Sequence, residues 1–243
     1  MEYFFSTSSN PEHPFILFGL SHGLLFLWVL LFGWIVVRAG MQGNERRRKK
    51  LRWFLIGLFL VWEIEWHAWY LITDTWSLQK NLPLHMCSIM IWVSIWGLIT
   101  RQRFVMALMY FFGIAGAIQA LITPDAIYAF PHFRFMNTWF SHSLLVIAGC
   151  WVVFVEGYRP VLSDVWKCLV TIHLYVIPVY FVNTQLGSNY LFVGRKPETA
   201  SLMDFFPEWP WYFFILQALL ALIMLGMYLP FRKKAVALQS ATA

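Results

Sequence analysis

Long apolar runs alternate along this chain with short polar breaks, and few polar residues interrupt the runs. Seven runs stand out, at residues 15–37, 53–72, 84–99, 104–122, 138–155, 165–182 and 211–229. A helix needs about 20 mostly apolar residues to cross the hydrocarbon of a bilayer, so these runs predict seven transmembrane helices. The third is short, and is expected to begin a turn earlier or to be sheltered by its neighbours. With no internal repeat and no soluble segment, residues 1–243 form one all-α polytopic membrane domain. An odd number of spans puts the termini on opposite sides.

Composition agrees with the pattern. The chain is 60% hydrophobic and 12% charged, where soluble domains are near half apolar and a quarter charged. The 14 Trp, 10 Tyr and 23 Phe suit interfacial belts as well as helix packing. A net charge of +6 would suit a nucleic-acid binder, but the basic residues lie in short connections between apolar runs. They read as a topology signal, and no nucleic-acid partner is expected. Fourteen of the 18 Lys and Arg fall on one side, half of them between Arg38 and Arg52. Only Lys80, Arg134, Arg195 and Lys196 fall on the other. The positive-inside rule then sets the N-terminus outside and the C-terminus in the cytoplasm of a multi-pass cell-membrane protein. No cleavable leader is expected, because the N-terminus lacks a basic region and the first run is long enough to span.

That orientation converts sequence position into depth. At about 1.5 Å per residue, Cys87 lies roughly 5 Å inside the outer end of the third span, with His142 at a similar depth in the fifth. His67 is about 7 Å in, and Glu63 and His173 roughly 13 Å. Gln119, Asp125 and Asn183 lie near outer ends of spans. Ionisable groups in membrane helices are costly and usually face a bundle interior or a watery cavity. Because these come from several helices and gather in one half, they predict a polar cavity opening outward. Glu63 and His67, at i and i+4, share a helix face and can pair. His85 and Cys87 are two residues apart and do not, so Cys87 is the candidate for the site. Cys150 and Cys168 belong to the inner half, and the spacing of the three cysteines matches neither a disulfide framework nor a metal motif. No metal and no cofactor is expected. The pair Gly113 and Gly116 suits close helix packing. The long connection at 183–210 is too apolar to be freely solvated, which leaves it a lid over the cavity or an interfacial anchor.

Several motifs taken together carry a resemblance. Leu82-Pro83-Leu84-His85-Met86-Cys87, the segment from Gly113 to Asp125, Ser141-His142, and Asn189-Tyr190-Leu191-Phe192 followed by Lys196-Pro197 resemble bacterial YwaF-type integral membrane proteins. The likeness runs from about the second span to the seventh. That family is similar to a eukaryotic membrane acyltransferase that moves fatty acyl chains between phospholipids through a cysteine and a histidine. The resemblance implies that Cys87 is the acyl-accepting nucleophile and His142 its base. Membrane phospholipids would be donor and acceptor, with transfer at the outer leaflet. The reacting species would be a thiolate, which a neighbouring imidazole or a helix N-terminus favours. Backbone N–H groups at the start of the third span, or Gln119, would serve an oxyanion. Two alternatives remain open: a lipid hydrolase using the same dyad, and a small-molecule binding or transport protein in which Glu63 and His67 relay protons.

Overall fold

The computed structural model describes residues 3–7, 15–124, 128–197 and 202–232, and all the regular structure among them is helical. Seven longer helices follow in order. They are α1 (Leu20–Met41), α2 (Glu45–Ile72), α3 (Met86–Thr100), α4 (Arg103–Ile122), α5 (Phe133–Phe154), α6 (Leu162–Leu186) and α7 (Trp211–Tyr228). Six are long and apolar enough to cross a membrane, and α3, with 15 residues, is shorter. Leu24, Leu27, Leu31 and Trp34 on α1, Ile64 on α2 and Phe214 and Leu222 on α7 are exposed on the outside of the bundle. So much apolar surface suits lipid rather than water.

Several helices begin where caps dictate rather than where hydropathy does. Asn44 Oδ1 accepts the Arg47 amide at 3.0 Å, so the basic run 46–50 is the first turn and a half of α2 instead of a loop. His132 caps α5 in the same way, accepting the Arg134 amide on Nδ1 at 3.0 Å, and α5 starts five residues before the expected 138. The third helix departs in the other direction. Pro83 lies in a turn ahead of it, His85 is its extended N-cap, and α3 begins at Met86 rather than at or before residue 84.

The bundle is built around α5. Its Trp139, Leu144, Leu145, Ala148, Trp151 and Val152 are all buried, and it packs against α1, α2, α3 and α4. A wide turn at Met109–Gly113 interrupts α4, and all five of its residues are buried. Glycines set the closeness of these contacts. A Cβ on Gly149 of α5 would run into the Ile114 side chain and stand 3.1 Å from the Met109 carbonyl oxygen. One on Gly113 would stand 3.5 Å from the Leu145 carbonyl, and one on Gly116 3.8 Å from Cys87 Sγ. The pair expected to permit close packing therefore seats α4 against both α5 and α3.

At the end where α1 and α2 join, the basic side chains do more than mark topology. Buried Arg52 donates to Glu156 at 2.9 Å and to Glu45 at 2.6 Å, and Trp151 Nε1 donates to the same Glu156 at 2.8 Å. Arg103 and the Tyr158 hydroxyl both donate to Asp164, at 2.8 and 2.9 Å. These bonds tie α2, α4 and the α5–α6 connection into one frame.

Gly149→Val should lower the thermal midpoint in detergent by several degrees, since overpacking against backbone costs about 1–3 kcal/mol. Gly57→Ala, with open space around it, should leave the midpoint unchanged or slightly raised.

Candidate active site

A cleft of about 80 Å³ opens between α2, α3 and α5. Trp62 and Trp66 of α2, Ile91 of α3 and Leu145 of α5 are its apolar walls. Its polar lining is Glu63, then Cys87 and Ser88, then Asn137, Thr138, Ser141 and His142. The α5 residues fall at i, i+1, i+4 and i+5, which places them on one helical stripe.

Cys87 and His142 both line this cleft, with their side chains near enough to interact. The imidazole is oriented by its own helix. His142 Nδ1 lies 2.7 Å from the Thr138 carbonyl oxygen one turn back. A carbonyl only accepts, so Nδ1 carries the proton, and Nε2 is left with a lone pair for the thiol. The Ser141 hydroxyl donates to the same carbonyl at 3.1 Å. Asn137 Nδ2 donates to the Trp62 carbonyl at 2.9 Å and pins α5 to α2 beside the dyad.

Glu63 lines the cleft from α2. Trp92 Nε1 donates to its Oε1 at 3.2 Å, and His67 Nε2 lies 3.5 Å from the same oxygen. Trp76 Nε1 donates to His67 Nδ1 at 3.1 Å. An indole N–H can only donate, so the His67 proton sits on Nε2 and points at Glu63. The expected Glu63–His67 pair is thus present, with an indole at each end.

The other residues singled out in the sequence lie elsewhere. His85 sits just ahead of α3, packed by ring contacts against Tyr190 and Phe192, and takes the Leu191 amide on Nδ1 at 3.4 Å. Gln119 and His173 are exposed on α4 and α6, outside the cleft lining. His173 Nδ1 donates to the Leu169 carbonyl at 2.6 Å. Asp125 lies outside the described residues. Asn183 is buried in the last turn of α6 and acts on the backbone of the connection that follows: its Nδ2 donates to the Tyr190 carbonyl at 2.9 Å, and its Oδ1 accepts the Tyr190 amide at 2.8 Å.

That connection holds the start of α3 in place. The Tyr190 hydroxyl donates to the Leu78 carbonyl at 2.7 Å and accepts the Leu82 amide at 2.9 Å. Tyr175 of α6 donates to the Leu84 carbonyl at 3.1 Å. Leu191 and Phe192 have φ of 59° and 53°, a left-handed conformation that bulky residues keep only where surroundings hold them. The segment 183–193 is therefore bonded to the approach to Cys87 and fixes where α3 begins.

Two features gave little warning in the sequence. Trp62 and Trp66 looked like ordinary packing residues, and Asn137 fell just before the expected span. A helical-wheel reading from His142 back to Asn137 would have grouped the four α5 residues. Among the described residues no three His, Cys, Asp or Glu gather in a metal-binding arrangement.

Cys87 should be alkylated faster than the fully buried Cys168 by a small haloacetamide. His142→Ala should slow the Cys87 reaction at neutral pH by about tenfold or more, because the thiolate is the reacting form; peptide mass spectrometry measures both rates. A Cys87 rate indifferent to His142 would contradict an interaction between the two side chains.

Among known proteins, the model of the TMEM164 family matches residues 7–228. No curated protein and no solved structure matches the chain.

Proposed function

The chain belongs to the TMEM164 family, and from that premise we propose that it is a membrane acyltransferase. It would move a fatty acyl chain from a phospholipid to a lyso-lipid or similar acceptor through a thioester on Cys87. The observation that carries this reading is the proximity of Cys87 and His142 in a cleft, with His142 Nδ1 already committed to the Thr138 carbonyl. The resemblance of the Leu82–Cys87 and Ser141-His142 motifs to the YwaF-type proteins, and through them to a Cys/His acyltransferase, supports the same chemistry.

The steps balance with this chain's residues alone. His142 Nε2 takes the thiol proton, and the Cys87 sulfur attacks the carbonyl carbon of an acyl ester. The C–S bond forms, the ester C–O bond breaks, and the departing lyso-lipid oxygen takes the proton from His142. In the return half an acceptor hydroxyl gives its proton to His142 and attacks the thioester. The new C–O bond forms, the C–S bond breaks, and the sulfur recovers the proton. Cys87 is the second residue of α3, whose N-cap His85 makes no side-chain capping bond. The amides of Met86, Cys87 and Ser88 are thus first-turn donors free for a developing oxyanion. Gln119, exposed on α4, is no longer needed for that task. Glu63 lines the same cleft, in which His142 is positively charged only within each half, while it holds the transferred proton.

The membrane arrangement that accompanies this reading counts α3 as a seventh span. It sets the basic end in the cytoplasm and the cleft towards the outer leaflet of the cell membrane. Membrane-impermeant maleimide, applied to intact cells expressing chains without the three native cysteines, tests the orientation. Thr75→Cys should label and Gln42→Cys should not; the reverse pattern overturns it.

For the chemistry, purified Cys87→Ser and His142→Ala proteins should each lose acyl transfer by about 100-fold or more, with the fold intact by melting temperature. If both variants keep wild-type lipid turnover, the dyad is not the catalyst. Release of free fatty acid in place of a new ester would assign the same dyad to hydrolysis. Substrate uptake that needs Glu63 and survives loss of Cys87 would assign the cleft to transport.

A further inference from the structure

Two turns before His142 on α5 lies Arg134, and its guanidinium is held by aromatic rings. The guanidinium carbon is 4.4 Å from the centroid of Trp66, 4.9 Å from Tyr70, 5.4 Å from Trp69 and 5.7 Å from Tyr128. None of the ion pairs among the described residues includes it. Ring faces attract a cation and hold it in place without accepting its N–H groups in the plane. The buried Arg134 Nε indeed has no hydrogen-bond partner, and neither has Asn81 Nδ2, on a residue only 3% exposed. Both side chains lie near the hydroxyl of Tyr70, but Arg134 Nε and Asn81 Nδ2 form no hydrogen bond of proper geometry with it. Two unused buried donors, one of them on a cation, therefore converge on one spot. Unpaired buried donors are uncommon in folded proteins and call for an acceptor.

Position connects the spot to the cleft. Trp66 lies under the guanidinium and also forms a wall of the cleft. Asn81 precedes Cys87 by six residues and Arg134 precedes His142 by eight, about 12 Å along the helix. In a glycerophospholipid the phosphate and the acyl ester are separated by the short glycerol unit. With a hydrogen bond's length added at the phosphate and a contact with sulfur at the carbonyl, the molecule spans on the order of this distance. A guanidinium and an amide N–H₂ match the several acceptor oxygens of a phosphate better than a single carbonyl.

We propose that Arg134 and Asn81, set by the aromatic rings around Arg134, seat the phosphate of a glycerophospholipid whose acyl ester lies at Cys87. The seat rests on the acyl-transfer reading for its purpose, but it binds whether or not the lipid reacts. Binding is therefore the test. Native mass spectrometry of the full chain in detergent, titrated with phosphatidylglycerol, with diacylglycerol of the same chains, or with inorganic phosphate, gives the three affinities.

Wild type and Cys87→Ser should hold phosphatidylglycerol at least about tenfold more tightly than diacylglycerol. Arg134→Gln should abolish that preference while leaving diacylglycerol binding unchanged, which also reports an intact fold. Arg134→Lys, keeping the charge but losing the planar fork, should retain part of the preference. Unchanged phosphatidylglycerol affinity in Arg134→Gln overturns the seat. So does inorganic phosphate that displaces phosphatidylglycerol with comparable affinity, because the site would then serve a free anion. Loss of binding in Arg134→Gln together with normal turnover in Cys87→Ser would leave the seat standing and sink the acyl-transfer reading.

Discussion

His142 gives its Nδ1 proton to the carbonyl of Thr138, on its own helix, and what the cleft can do follows from the nitrogen this leaves free. Among apolar helices there is little water to reorient a ring or to satisfy it in a second tautomer. The same constraint shapes the α2 side of the cleft. Trp76 donates to His67, His67 turns its remaining proton to Glu63, and Trp92 donates to Glu63 from the other side. Groups that can only donate or only accept thus decide the state of those that can do either. The dyad and the carboxylate are oriented before any substrate arrives, the condition under which a nucleophile and base work well.

Orientation would be useless without placement, and the short third helix supplies it. At 15 residues α3 is about 22 Å long, against about 33 Å for the 22 residues of α5. Its missing turns are made up by the Pro83 turn and by the Tyr190 segment bonded to it. The first turn of α3, with Cys87 and its free amides, lies inside the bundle as a result. Gly116 lets α4 come up behind the cysteine, and Gly149 lets the widened turn of α4 settle on α5. At the far end, Arg52 between Glu45 and Glu156 holds α2 to the α5–α6 connection, away from the chemistry.

Much of this was legible in the amino-acid sequence, because a polar residue in an apolar run is conspicuous. Six of the expected spans correspond to helices of membrane-crossing length, and Glu63, Cys87 and His142 do share one cleft. Their convergence could be anticipated from depth alone. Lateral position could not, since periodicity tells which residues share a face but not which neighbour that face meets. Gln119 and His173 have suitable depths and look outward. Asn183 looked like a site residue because it is polar near a helix end, and its role in locking Tyr190 depends on a fold-level return of the chain. Arg134 read as an ordinary loop cation, since the helix containing it starts at a cap, His132, that hydropathy does not register. Helix starts at 45 and 133 were missed for that same reason.

The central claim is that Cys87 carries an acyl group, and the acyl-enzyme itself is the most direct thing to measure. The purified chain would be incubated with a phospholipid of a single acyl composition and no acceptor, then analysed intact and as peptides by mass spectrometry. The account predicts a mass increase of one acyl chain, located on Cys87, removed by neutral hydroxylamine and missing from His142→Ala. An unmodified Cys87 under turnover conditions, or an adduct that forms equally well without His142, would contradict it.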